Sequence, residues 1–227
     1  MAAKKKQKKT AEEKPVGSVA ALRGRKGGGR KFDRKRAWEG TKSLLGTIAI
    51  FLCLDYLATG IDRLVWTAFL LLPLALVFDV LDGYVARLDT RRQSVLGGDL
   101  DSLADVISFG VAPAVLGFTL GLRGGWDMVI LTYFVVCGVS RLARFNVTAD
   151  ALADRVTGKV KYFEGTPIPT SILIVALLGV ASLAGRINDR LWFGSVRLGP
   201  ADLHPLALLY GLSGSAMISA TLKIPKP

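Results

Sequence analysis

The sequence predicts an all-α polytopic membrane protein with about six transmembrane helices behind a disordered basic N-terminal tail. Three observations predict it. Apolar residues make up 51% of the 227 residues, and the mean hydropathy is +0.40, high for a soluble chain. These residues fall in blocks near the ~20 residues of a helical bilayer crossing. Basic residues crowd the segments that the blocks place on one side of the membrane. The length bounds the chain to a tail, residues 1–36, and one membrane domain, residues 37–227.

The tail is rich in Lys, Arg and Gly, includes Gly27-Gly28-Gly29 and has no apolar periodicity, so disorder is expected. It is not a cleavable secretory signal, because no short apolar core follows its long basic region promptly. The apolar blocks then predict spans at about 43–60, 64–86, 100–121, 127–145, 167–185 and 203–221. Residues 37–60 lead into the first span, which Asp55 interrupts. Trp38, Trp66, Trp126 and Trp192 fall near span ends, as interfacial anchors do. The fifth span opens after Glu164-Gly-Thr-Pro-Ile-Pro169, where the prolines restrict the helix start. The sixth opens at His204-Pro205, and that lone histidine, without an adjacent nucleophile, reads as a helix-end residue. Cys53 and Cys137 sit in apolar runs and read as reduced core thiols.

The formal charge of +12 invites a nucleic-acid reading, but its distribution argues against one. With six spans and the N-terminus inside, 25 of the 30 Lys and Arg lie on the cytoplasmic side. Only Arg63, Arg123, Arg186, Arg190 and Arg197 lie opposite. This positive-inside bias places both termini in the cytoplasm, with the tail drawn to anionic membrane lipid. No aromatic residue interleaves the basic run before Phe32, so no nucleic-acid partner is expected.

Four carboxylates stand out against this apolar background. Asp79 and Asp82 are spaced i, i+3, and Asp101 and Asp105 are spaced i, i+4, so each pair shares one helix face. Acids inside a membrane are costly and mark functional sites. Four converging carboxylates repel one another unless cations neutralise them, and all-oxygen ligands select hard divalent ions. From the residues alone, a phosphoryl-transfer enzyme and a divalent-cation transporter both remain open.

The run Asp79-x2-Asp82-Gly83-x2-Ala86-Arg87, followed by Gly97-x3-Asp101-x3-Asp105, resembles the signature of the CDP-alcohol phosphotransferases. The gap from Arg87 to Gly97 is one residue longer than usual, a difference assigned to the polar turn Asp89–Gln93. Within that family, residues 100–113, Cys137–Val147 and Tyr162–Thr170 are similar to phosphatidylserine synthases that use CDP-diacylglycerol, and the C-terminal residues 221–227 to fungal members. The resemblance covers roughly residues 66–227. It implies transfer of a phosphatidyl group from CDP-diacylglycerol to L-serine with release of CMP, assisted by two divalent ions, Mn²⁺ or Mg²⁺. It implies Asp79, Asp82, Asp101 and Asp105 as metal ligands, with Asp105 also the general base. It further implies Gly83, Ala86, Arg87 and Gly97 at the nucleotide, and Arg141, Arg144, Phe145 and Asn146 at the serine. Location in the endoplasmic reticulum with a cytoplasmic active site and a homodimeric state follow by the same analogy. Inositol or glycerol 3-phosphate would be the alternative acceptor. The transporter reading leaves Gly83, Ala86 and Arg87 unexplained.

Overall fold

The computed structural model describes residues 34–88, 95–152, 162–219, 221 and 223–225. The helix α1 (Arg34–Thr59) ends where Gly60 takes φ +70°, a left-handed cap that favours glycine. The Gly60 N–H closes that turn on the Tyr56 carbonyl at 2.8 Å. Helix α2 (Asp62–Leu88) starts two residues later, with Asp62 in its first turn where the helix dipole favours an acid. The short connection makes α1 and α2 antiparallel neighbours packed through Ala49, Cys53, Tyr56, Val65, Ala68 and Leu72.

The third span is a composite. Helix α3 (Val95–Asp105) passes into a π-helical turn (Val106–Val111) and then helix α4 (Ala112–Thr119). Pro113 supplies a physical reason for the wider turn, because its ring excludes the normal hydrogen bond to the carbonyl four residues back. This span is the centre of the bundle: 61% of its window is buried, against 28–33% for α1, α2 and α5. Helix α5 (Gly125–Leu152) crosses back beside it.

The remaining chain is shorter in its elements. Strand β1 (Tyr162–Glu164) is followed by a 3₁₀ turn (Ile168–Ser171) and helix α6 (Ile172–Leu183). A hairpin of β2 (Val196–Leu198) and β3 (Ala201–Leu203) precedes a 3₁₀ turn at Pro205–Ala207 and helix α7 (Leu208–Ile218). Strand β4 (Lys223–Pro225) pairs antiparallel with β1, Phe163 opposite Ile224, tying the chain's end to the loop after α5. The fully buried Tyr210 of α7 donates to the Pro113 carbonyl at 2.7 Å, and its ring packs edge-on against Phe134 of α5. Gly117 permits this approach, since a Cβ there would lie 2.7 Å from the tyrosine hydroxyl oxygen.

All six expected apolar helices are present, and the protein is an integral membrane protein. Four of them are long and apolar enough to cross: Gly40–Thr59, Asp62–Leu81, Gly98–Thr119 and Gly125–Asn146. The last two, Ile168–Leu183 and Pro205–Ile218, are shorter than the spans expected at 167–185 and 203–221. Proline-led 3₁₀ turns begin both. Gly185 at φ +65° follows the end of the first, and Ser219 is already extended after the second. Exposed leucines such as Leu70, Leu173, Leu183 and Leu212 face outward, the arrangement a lipid environment accepts. The expected tail lies outside the described residues except for residues 34–36, which begin α1. The polar turn Asp89–Gln93 lies outside them too.

At one end of α5, Asp127 is fully buried and accepts the backbone N–H of Gly124 and of His204, each at 2.8 Å. His204 Nδ1 lies 2.5 Å from Asp127 Oδ2, the oxygen that also accepts from Gly124. His204 therefore closes a helix end, as the sequence suggests. Nearby, Trp126 Nε1 donates to the Leu198 carbonyl and holds the hairpin.

Candidate active site

Two helices bring the acids together. Asp79 comes from α2, and Asp101 and Asp105 come from successive turns of α3. One oxygen from each lies within 4.8 Å of the other two. Side-chain exposure falls from 47% at Asp101 and 22% at Asp79 to 13% at Asp105, so the cluster opens on one side and closes on the other. Asp82 lies one turn further along α2, with Ala86 and Arg87 beyond it, and Gly97 lies in the first turn of α3. The side chains of Asp82, Ala86 and Arg87, and the surroundings of Gly97, fall outside the described residues. At Gly83 an added Cβ would meet nothing within 4 Å among the described residues.

The centre of the cluster holds a side chain the sequence reading did not single out. Lys42 of α1 is fully buried, and its Nζ donates to Asp79 at 2.7 Å, Asp101 at 2.7 Å and Asp105 at 2.6 Å. Its backbone carbonyl accepts from Ser108 Oγ of the π-helical turn at 3.0 Å. Gly46, one turn further along α1, lies so close to this turn that a Cβ would sit 2.6 Å from Ser108 Oγ. The faint signal in the sequence is that Lys42 is the last charge before an uncharged run to Asp55. It is easily read as the end of the basic tail.

One ammonium against three carboxylates leaves a formal charge of −2. An isolated charge buried from water is expensive, so this excess calls for further positive charge. The donor set, three convergent carboxylates around a point already held by a cation, fits a hard divalent ion.

The predicted acceptor residues make different contacts. Arg141 of α5 is 7% exposed, and its charge interacts with those of Asp105 and Arg144. Its buried Nε has no hydrogen-bond partner among the described residues. A buried donor of this kind is costly to leave unmatched and suits an anionic ligand oxygen. Asn146 Nδ2 donates to Ser102 Oγ at 3.1 Å, joining the end of α5 to the turn between Asp101 and Asp105. Arg144 Nη1 donates to the Ile218 carbonyl at the end of α7 at 3.2 Å. Phe145 is half-buried beside it. Arg141 and Arg144 end a groove of ≈ 370 Å³, whose walls include Val136, Cys137 and Ile218. Arg141 lies about 21 Å along α5 from Asp127, at ~1.5 Å per residue, so the His204 closure belongs to the opposite end of the bundle.

The family model for CDP-alcohol phosphatidyltransferases matches residues 42–198. Among curated proteins, the chain is 46% identical to the CDP-diacylglycerol–serine O-phosphatidyltransferase of Saccharomyces cerevisiae, over 80% of this chain and 66% of that protein. It is 37% identical to the protein of the same name from Methanocaldococcus jannaschii, over 79% of this chain and 74% of the relative. It is 40% identical to the archaetidylserine synthase of Methanothermobacter thermautotrophicus, over 52% of this chain and 48% of the relative. The chain thus spans just under two thirds of the yeast protein's length. No solved structure gives a significant match to the chain.

Proposed function

Because the chain belongs to the CDP-alcohol phosphatidyltransferase family, we propose that it transfers the phosphatidyl group of CDP-diacylglycerol to L-serine, giving phosphatidylserine and CMP. The observation that carries this reading is the convergence of Asp79, Asp101 and Asp105 on one cation position beside the buried Arg141. Members of this family use divalent metal. The ligands here would be Asp79, Asp82, Asp101 and Asp105, holding two Mg²⁺ or Mn²⁺ ions. Bound there, such ions neutralise the pyrophosphate and the departing CMP oxygen.

The chain's own residues supply the rest. Asp105, the least exposed of the three described acids, takes the serine hydroxyl proton. The serine oxygen then bonds to the lipid-proximal phosphorus while the bond from that phosphorus to the bridging pyrophosphate oxygen breaks, and CMP leaves with that oxygen. Arg141 presents a planar fork to the serine carboxylate, a geometry that matches two carboxylate oxygens. Asn146, held to Ser102, and Phe145 complete that side, with Arg144 lining the groove they border. Open space at Gly83 among the described residues suits approach of the nucleotide to the α2 backbone, with Ala86, Arg87 and Gly97 along the same path. The positive-inside bias supports a cytoplasmic position for this end of the bundle, with the endoplasmic reticulum taken as the compartment and a second copy of the chain as partner.

The serine acceptor is supported by the similarity to the yeast and Methanocaldococcus jannaschii CDP-diacylglycerol–serine O-phosphatidyltransferases, and an acceptor panel tests it. Purified protein with CDP-diacylglycerol and Mn²⁺ is offered L-serine, inositol or glycerol 3-phosphate, and CMP release is measured. Release with serine alone is expected. Release only with another acceptor would move the protein elsewhere in the family. Metal flux without CMP release would restore the transporter reading.

A further inference from the structure

The carboxylate cluster is already bound to a cation, and that cation is part of the chain. The Lys42 ammonium touches all three acids at 2.6–2.7 Å. It uses Oδ1 of each, so it occupies the point on which they converge. A divalent ion drawn to those same oxygens would sit about 2.0–2.6 Å from each. The ammonium and the ion cannot share that point. Placed side by side within a few ångströms, they would repel strongly in a poorly solvated site.

We propose that Lys42 is a built-in competitor for the metal: its ammonium closes the carboxylate cluster in the metal-free enzyme, and a divalent ion must displace it to load the site. The inference rests on the metal reading of the cluster given above. It goes beyond that reading by giving α1 a part in setting how much metal the enzyme needs. The backbone of Lys42 is anchored by Ser108 of the π-helical turn, and Gly46 seats α1 against that same turn. Displacement is therefore a movement of the flexible four-carbon side chain and not of the helix. A lysine suits this role better than an arginine, because its ammonium is a compact point charge on a mobile stem. Once displaced, the side chain remains tethered beside the loaded site.

The test measures metal binding without substrate. Purified wild-type, Lys42→Met and Lys42→Arg proteins are titrated with Mn²⁺, and free ion is followed by electron paramagnetic resonance. Removing the competing charge should tighten Mn²⁺ binding by about tenfold or more in Lys42→Met, the scale of one charge-assisted hydrogen bond. Lys42→Arg, still cationic, should bind no tighter than wild type. All three proteins are purified with Mn²⁺, which supplies the positive charge that Lys42→Met lacks, and are freed of it immediately before the titration.

A second measurement needs no variant and separates displacement from simple charge repulsion. Acetylation of Lys42 in wild type by acetic anhydride, read by mass spectrometry, should rise when EDTA is replaced by Mg²⁺. Equal Mn²⁺ affinity in wild type and Lys42→Met overturns the proposal. So does acetylation of Lys42 that stays unchanged while the ion demonstrably binds. Failure of all three proteins to bind Mn²⁺ overturns the metal reading itself, a different result from either of these.

Discussion

At the residue scale the site is a problem of charge balance, and substitutions report which charge does what. Asp79→Asn or Asp101→Asn keeps the shape but removes one negative charge from the cation position. On the proposed mechanism each should cut CMP release by a hundredfold or more, roughly the loss of 3 kcal/mol of transition-state stabilisation. EDTA should silence wild type, and added Mn²⁺ should restore it. Undiminished turnover in EDTA would remove metal from the mechanism. Arg141 and Asp105 should fail differently. Arg141→Lys should raise the serine KM about tenfold to a hundredfold, the cost of roughly 1.5–3 kcal/mol for a lost hydrogen bond to a charged group. Its CDP-diacylglycerol KM should change little. Asp105→Asn should lower kcat at saturating serine, as loss of a general base does. Saturation curves for both substrates decide between them, and an Arg141 effect confined to CDP-diacylglycerol would assign that guanidinium to the lipid phosphate. The acids were legible from sequence because helical spacing fixes which residues share a face. Lys42 was not, because its partners lie 37, 59 and 63 residues away and no local pattern encodes that distance. The two arginines also read alike in sequence, three apart on one helix, yet the charge of one interacts with that of Asp105 and the other donates to the end of α7.

At the scale of elements, the site depends on how closely α1 crosses the π-helical turn that follows Asp105. Gly46 makes that approach possible: an added Cβ would lie 2.6 Å from Ser108 Oγ and 2.8 Å from Ser108 Cα. The second contact is backbone, so no side-chain rotation relieves it. Gly46→Ala should therefore push α1 away and cost about 1–3 kcal/mol, as overpacking does. Because the shifted helix carries Lys42 away from the acids, the variant should also bind Mn²⁺ at least as tightly as wild type. Ser108→Ala, which loses one hydrogen bond and no space, should cost only about 0.5–1.5 kcal/mol. Thermal unfolding in detergent checks the order, and a Gly46→Ala protein as stable as wild type would mean the crossing is looser than described. The helices themselves were readable, since apolar blocks of bilayer length constrain the chain to helix. The π-helical turn was not, although Pro113 marks where the regular ladder must give way. Nor was the β2–β3 hairpin: Val196-Arg-Leu and Ala201-Asp-Leu are too short to show a strand period against six strong helical blocks.

At the scale of the whole molecule, the two ends of the bundle differ in chemistry. One end carries the acids, Lys42, Arg141, Asn146 and the β1–β4 pair. The other carries Asp127, His204, Trp126 and the β2–β3 hairpin. By the expected spans, only Arg63, Arg123, Arg186, Arg190 and Arg197 of the 30 Lys and Arg fall on the hairpin side. A cytoplasmic leaflet rich in anionic lipid favours each nearby Lys or Arg by about 1 kcal/mol. An excess of 25 to five, tail included, therefore favours the orientation with this end in the cytoplasm. Without the residues up to position 42 the ratio is still ten to five, so the bias belongs to the membrane domain as well as the tail. Impermeant thiol labelling tests the orientation. Cys53 and Cys137 are both buried and are replaced first, giving a cysteine-free background. A cysteine introduced at position 30 should then react only from the cytoplasmic face, and one at position 189, beside the exposed Arg190, only from the opposite face. The consequence for function is direct. CDP-diacylglycerol would reach the carboxylates laterally from the cytoplasmic leaflet, and serine would arrive from the cytosol at the Arg141 end. The reverse labelling pattern would put the carboxylate cluster on the far side of the membrane, where the enzyme would depend on a supply of serine from outside the cytosol.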